Sequence, residues 1–270
     1  MPIQFEFGDT EEARTFFVRH PQFYRTFQRL AELSNAGLGP RTMSSKLTDV
    51  CHRLGNTCRN DFLGILFLVI NGYGIAATQL LRSLYERSVT LAYIIRHPEK
   101  VERFMQYAAI SEYRLVQEAR KLFSDEQIND AFKRNAIEEV RENFDKFKAP
   151  FLRNDGKKMT PTWDVDFASQ VRDVGSPFVD YYLSAYLMPN SHVHATLTSI
   201  MHPEERLAPE LQADLTLMMA HVLFLKVIEL HGGLFGLAHE SGIEKCNQDF
   251  YDLWLGNRAA EVNVNIKNDS

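Results

Sequence analysis

Arg82 and Glu86 stand four residues apart inside an otherwise apolar stretch, NGYGIAATQLLRSLYERSVTLAYIIRHP, at residues 71–98. That spacing puts both side chains on one face of a helix. Val89 and Tyr93 continue their stripe, and Leu81, Leu84, Ser88 and Ala92 form the stripe beside it. A charged pair next to a buried stripe has two readings. One is a packed ion pair that fixes how helices cross, with little net gain in stability. The other is an arginine presented to a phosphate or carboxylate and held by the glutamate. Arg87 and Arg96 are expected to be more exposed.

The second group with chemical capacity is Pro189-Asn190-Ser191-His192-Val193-His194. Residues two apart on a helix point about 200° from each other, so His192 and His194 do not chelate one metal together. His202 follows, but next to the helix-breaking Pro203, and no HExxH or ExxH pattern occurs. No metal or cofactor is expected. Either histidine alone suits proton transfer near neutral pH, and a hydrogen-bonded core histidine is the plainer alternative. The candidate catalytic set is Arg82, Glu86 and His194. Asn190, Ser191, His192 and Tyr107 are candidate ligand contacts. No Ser-His-Asp order, GxSxG elbow or glycine-rich phosphate loop is readable. His221, His231 and His239 lack chelating spacing, and Tyr181, Tyr182 and Tyr186 read as packing residues with a polar tip.

The elements that must position these residues are helical. Helices are expected at about 11–19, with Asp9 or Thr10 as cap, at 22–34, and at 42–70. The last turns apolar on every side in FLGILFLVI, so it must be wrapped by other helices. Asn71-Gly72-Tyr73-Gly74 reverses the chain into a helix reaching Arg96, giving a long antiparallel hairpin. Further helices are expected at about 99–123, 125–148, 166–173, 177–187 and 189–201. Val101, Phe104, Tyr107 and Ala108 would line the inner side of the 99–123 helix. A long helix at 207–237 would turn Leu211, Leu215, Met218, Val222, Leu225 and Ile228 inward, and a short one would follow at 244–255. Residues 149–165 form the clearest loop, an insertion, a lid or a boundary. The expectation is an all-α fold, one bundle of about eight to ten helices around the hairpin. Its core would span residues 41–257, after a helical lead at 1–40 and before a flexible tail at 258–270.

Composition bounds the function. The chain has 270 residues, 45% hydrophobic and 24% charged, which is ordinary for a folded protein. Its net charge of −5 excludes nucleic-acid binding through bulk charge but not through a local basic pocket. Three cysteines without a CxxC fit a reducing cytoplasm, and Cys51 and Cys58, two turns apart, are too distant for a disulfide. Residues 62–81 carry no charge and are long enough for a membrane span, but Asn71, Gly72 and Gly74 break the run. No membrane association is expected.

The run Leu81-Arg82-Ser83-Leu84-Tyr85-Glu86, then Tyr93-Ile94, together with Tyr182-Leu183-Ser184 leading to Ser191 and His194, resembles a widespread bacterial family known only as a domain of unknown function. The resemblance spans about residues 45–235 and implies an all-α fold. The arrangement is also similar to the HEPN (higher eukaryotes and prokaryotes nucleotide-binding) helical bundles, many of them ribonucleases of toxin–antitoxin and phage-defence systems. Their signature is an arginine, often followed by a polar residue, with a histidine four to six residues on. Asn190 and His194 match the polar residue and the histidine, while Pro189 stands where the arginine belongs. Arg82 would then have to supply the guanidinium from the neighbouring helix. This resemblance implies RNA or another phosphate-bearing ligand as partner. The competing reading is a non-catalytic helical module for a small anionic ligand or a partner protein, including a homodimer.

Overall fold

The computed structural model describes residues 10–132, 136–153, 158–189, 209–237 and 240–256. Asn190, Ser191, His192, His194 and His202 lie outside the described residues. The fold is all-α: among the described residues eleven α-helices form and no strand. The chain divides into two compact units, residues 1–96 with 171–270, and residues 97–170.

The first unit is built on a hairpin. Helix α1 (Glu11–Arg19) is capped by the Thr10 hydroxyl, which accepts from the Ala13 amide. Helix α2 (Phe23–Leu38) runs four residues past the expected end, because Gly37 and Leu38 are buried and the chain leaves the helix only at Gly39. Helix α3 (Lys46–Ile70) starts where Ser45 and Thr48 exchange side-chain and backbone hydrogen bonds in a capping box. The chain then turns through Gly72, whose φ of +82° suits a residue without Cβ, and enters α4 (Gly74–Arg96). The uncharged run at 62–81 is therefore two helices meeting at a turn.

Cross-helix neighbours fix the direction. Gly64 lies against Leu80, Asp61 against Arg87 and Cys58 against Ser88, so α3 and α4 run antiparallel. The third member of the core is α10 (Pro209–Leu234), which packs on both arms. Its Ala213 approaches Gly74 so closely that a Cβ there would stand 3.0 Å from the Ala213 Cβ. Phe224 stacks on Phe62 at 4.6 Å, and His231 reaches His52. Helix α10 thus runs antiparallel to α3 and parallel to α4.

The inward face of α10 matches expectation at Leu225 and Ile228, which are buried, and departs from it elsewhere. Ala213, Leu217, Ala220, Phe224, Val227 and His231 are buried, whereas Leu211 is exposed and Leu215, Met218 and Val222 are half-buried. The helix is apolar around nearly its whole circumference, so periodicity carries no direction. By length and composition alone, residues Leu211–Leu234 are also apolar enough to cross a membrane, and 56% of that window is buried inside the protein. Nor is α3 wrapped on every side: Leu63 and Phe67, one turn apart, remain exposed. The chain passes from the second unit back to the first within helix α8 (Phe167–Val174), and α9 (Phe178–Tyr181) continues into a π-helical turn, Tyr182–Leu187. Helix α11 (Glu240–Tyr251) is tied to α2 by Arg29, whose Nη1 donates to both Asp249 oxygens at 2.6 and 2.8 Å.

The second unit consists of α5 (Val101–Ala119), α6 (Asp125–Phe132) and α7 (Ala136–Phe147) with the segment after them. The single helix expected at 125–148 is two. Helix α5 buries Ala109, Ile110 and Val116 rather than Ala108, and Tyr113 stacks on Phe144 of α7 at 3.8 Å. The described part of the 149–165 loop is fastened to α5. Arg103 Nε donates to the Trp163 carbonyl at 2.6 Å, Arg114 Nη2 to the Thr160 carbonyl at 2.5 Å, and Lys100 pairs with Asp164.

Two buried groups make the core of the first unit sensitive to charge. Burial pushes the Asp61 carboxyl up from its ordinary value, and Arg87 pulls it partly back. Removing the partner leaves a carboxylate in a largely apolar hairpin. Arg87→Ala is therefore expected to cost about 1–3 kcal/mol at neutral pH. Because a raised carboxyl pKa makes the folded state hold its proton longer, this loss shrinks as pH falls below the folded value. Asp61→Asn in the same chain should restore most of the stability; urea melts of the single and double variants check this. His221 shows the opposite sign. Burial lowers its pKa from 6.5 to about 3, so the unfolded state takes up the proton first. Stability should decline as pH falls from about 6.5 toward 3, and His221→Phe should flatten that slope in melts across the same range.

Candidate functional site at Arg82

Helix α4 is buried along Leu81, Leu84, Tyr85, Ser88 and Val89. Arg82 and Glu86 emerge on the flank of that stripe. Arg82 Nε donates to Glu86 Oε1 at 2.9 Å, with the side chains 24% and 42% exposed. The pair is half-buried, at the edge of the core. Its sequence neighbours explain this: the buried stripe holds the helix down, and the residues one position along reach past its margin.

A third partner comes from the π-helical turn. The guanidinium of Arg82 lies over the Tyr186 ring at 4.7 Å. Tyr186 is stacked in turn between Tyr182 at 5.3 Å and Tyr85 at 6.1 Å. Tyr85 is fully buried and its hydroxyl donates to the Phe178 carbonyl at 2.6 Å, which pins the start of α9 to α4. A π turn widens the helix by one residue per turn and often marks a functional position. Here it brings Tyr182 and Tyr186 onto the face that meets α4.

The hydroxyls of Tyr85 and Tyr186 are held protonated. Burial raises the pKa of Tyr85, with Tyr182 and Tyr186 adding to it. Burial also raises that of Tyr186, Glu86 raises it further, and Arg82 pulls it back. Tyr186 therefore acts as a neutral hydrogen-bonding group and an aromatic face for the cation. Arg82 thus places donors on Glu86 and on Tyr186, with which it shares a hydrogen bond, and a planar guanidinium of this kind matches phosphate or carboxylate oxygens.

Of the residues singled out from sequence, Arg82 and Glu86 are brought together. Pro189, at the end of this element, is buried, and the histidine segment follows it beyond the described residues. Tyr107 belongs to the other unit, where its hydroxyl donates to the Pro161 carbonyl at 2.6 Å and accepts from Arg114 Nη1 at 2.6 Å. Tyr186 was readable only as a packing residue, since a π turn leaves no trace in apolar spacing. Arg87 and Arg96 are more exposed than Arg82, as expected, at 39% and 58% against 24%, and both have partners. Arg87 pairs with Asp61, a match the hairpin register would have shown, and Arg96 pairs with Asp173.

Other reactive groups are quiet. Burial pushes the thiols of Cys51 and Cys58 up to about 12 and that of Cys246 to about 11, so none is a thiolate at neutral pH. Among the described residues, no group of three His, Cys, Asp or Glu side chains is placed to hold a metal ion. His20 meets Asp214 at 3.2 Å, and His52 meets His231 at 3.3 Å.

The electrostatic coupling within the cluster has a measurable signature. Arg82→Gln should raise the Tyr186 pKa and Glu86→Gln should lower it, by opposite shifts of about half a unit or more. A titration of ring-carbon NMR signals, with Tyr186→Phe used to assign the resonance, reads both.

No curated protein matches this chain, and no solved structure does. The stretch that carries α3, α4 and the Arg82 cluster does match a family. Residues 48–205, more than half of the chain, fit the model of DUF5677, a family of unknown function, and the chain belongs to that family.

Proposed function

We propose that the Arg82 cluster binds a phosphate-bearing ligand, and that the chain is a ribonuclease of the HEPN-like kind. The supporting observation is an arginine of α4 fastened by Glu86 through Nε, still a quarter exposed, and backed by the ring of Tyr186, which stands four residues before Asn190 and eight before His194 in the sequence. In this reading His194 takes the proton of an RNA 2′-hydroxyl. The 2′-oxygen attacks phosphorus and the bond to the 5′-oxygen breaks. The proton is returned to that oxygen, leaving a 2′,3′-cyclic phosphate and a 5′-hydroxyl with no co-reactant. Arg82 neutralises the charge that develops on the non-bridging oxygens, worth most where water is excluded. Asn190, Ser191 and His192 are the candidate ligand contacts beside His194.

A second reading rests on the closure of the same network. Glu86 already balances the arginine, and the Tyr85 hydroxyl is satisfied by Phe178. A non-catalytic module that holds a small anionic ligand or a partner protein at Arg82 needs nothing more.

Cleavage of labelled single-stranded RNA by the wild type, His194→Ala and Arg82→Ala separates the two. The ribonuclease reading expects cyclic-phosphate products from the wild type and a rate at least about 100-fold lower in His194→Ala. Arg82→Ala should lose both cleavage and RNA retention. Equal rates in wild type and His194→Ala, or none in either, overturn it. Retention that depends on Arg82 without cleavage establishes the second reading.

A further inference from the structure

A pocket of about 250 Å³ opens between α2, α3 and α10 of the first unit, using no residue of the Arg82 cluster. Its floor is apolar: Leu30, Phe62 and Phe224 are almost fully buried, and the two phenyl rings stack 12° from parallel. Phe27 of α2 stands on the wall. The polar groups are the unusual part. Ser34 lines the pocket with 4% of its surface exposed, and its buried hydroxyl has no hydrogen-bond partner among the described residues. A buried hydroxyl without a partner is a standing energetic cost unless something meets it. Arg59, on the rim and half-buried, makes no hydrogen bond or ion pair among the described residues. Asn60, exposed beside it, brings a further donor.

We infer that this pocket binds a small aromatic carboxylate. An apolar cavity with a few converging polar groups is the usual form of a small-molecule site, and this volume, just below the usual range of about 300–1,000 Å³, admits one or two rings. The flat body fits the phenyl surfaces of Phe27, Phe62 and Phe224. The carboxylate takes the fork of Arg59 and satisfies the Ser34 hydroxyl as donor. A single guanidinium matches a single negative charge. A dianionic phosphate would leave its second charge against phenylalanine, and a neutral ligand would leave Arg59 unanswered.

The test uses the full chain with benzoate, phenylacetate, 3-phenylpropionate and indole-3-acetate as probes, and indole-3-acetamide as the uncharged match, by calorimetry and saturation-transfer NMR. At least one carboxylate should bind with a Kd below about 1 mM. The amide should bind at least about tenfold more weakly, and Arg59→Gln should weaken the carboxylate by a similar factor while leaving the amide unchanged. Ala31→Trp, which places a ring in the pocket, should remove binding, and Arg82→Ala should leave it as in the wild type. The inference is overturned if no carboxylate binds, if acid and amide bind alike, or if Arg59→Gln or Ala31→Trp binds as the wild type does. It is also overturned if Arg82→Ala abolishes binding.

Discussion

Burial of α4 between α3 and α10 is the constraint on which the first unit depends. Leu81, Leu84, Tyr85, Ser88, Val89, Leu91 and Ile94 of that helix are all removed from water, Tyr85 with the help of Phe178 and Tyr186. A helix gripped on two sides can place charge only along its margins, because an unpaired charge in the apolar seam would cost several kcal/mol or more. Asp61–Arg87 occupies one such margin and Arg82–Glu86 another. The first pair joins the two arms of the hairpin and belongs to the fold. The second links no other helix through its ion pair. It is joined to the rest of the unit through the Tyr186 ring, so its geometry depends on the π turn after α9.

The two pairs therefore differ in what they hold together. A cross-helix ion pair with a nearly buried carboxylate fixes the register of α3 on α4. Arg82 is held by a residue of its own helix, with the Tyr186 ring behind it and a hydrogen bond to the same tyrosine. Tyr85 supplies the rigidity, since its buried hydroxyl holds the Phe178 carbonyl and so anchors the element that carries Tyr182 and Tyr186. Membership of DUF5677 spans this arrangement from α3 through the segment after α9.

Much of the fold was legible from particular residues. Asn71-Gly72-Tyr73-Gly74 marked the hairpin turn, and of the two candidate first caps, Asp9 and Thr10, it is Thr10 that fills the role. What was not legible has physical causes. The inward face of α10 was hidden because nearly every face is apolar. The end of α2 was misplaced because Gly37, a poor helix former, is held by burial against its neighbours. At the site, the Arg82–Glu86 pair followed from i,i+4 spacing alone, whereas Tyr186 did not. Its approach requires a π turn and a packing partner 101 positions away from Tyr85 in sequence. The pocket at Arg59 was invisible for a similar reason: Phe27, Phe62 and Phe224 come from three helices, and each by itself reads as core.

The most direct measurement of the central claim is an NMR titration of the full chain with a 2′-O-methyl RNA oligonucleotide, which cannot be cleaved, following the Arg82 Nε–Hε signal and the Tyr186 ring. If Arg82 binds phosphate, both signals move together and saturate at one ligand concentration, and Glu86→Gln alters the arginine shift. RNA binding that leaves both signals unmoved, or no binding at all, would contradict it.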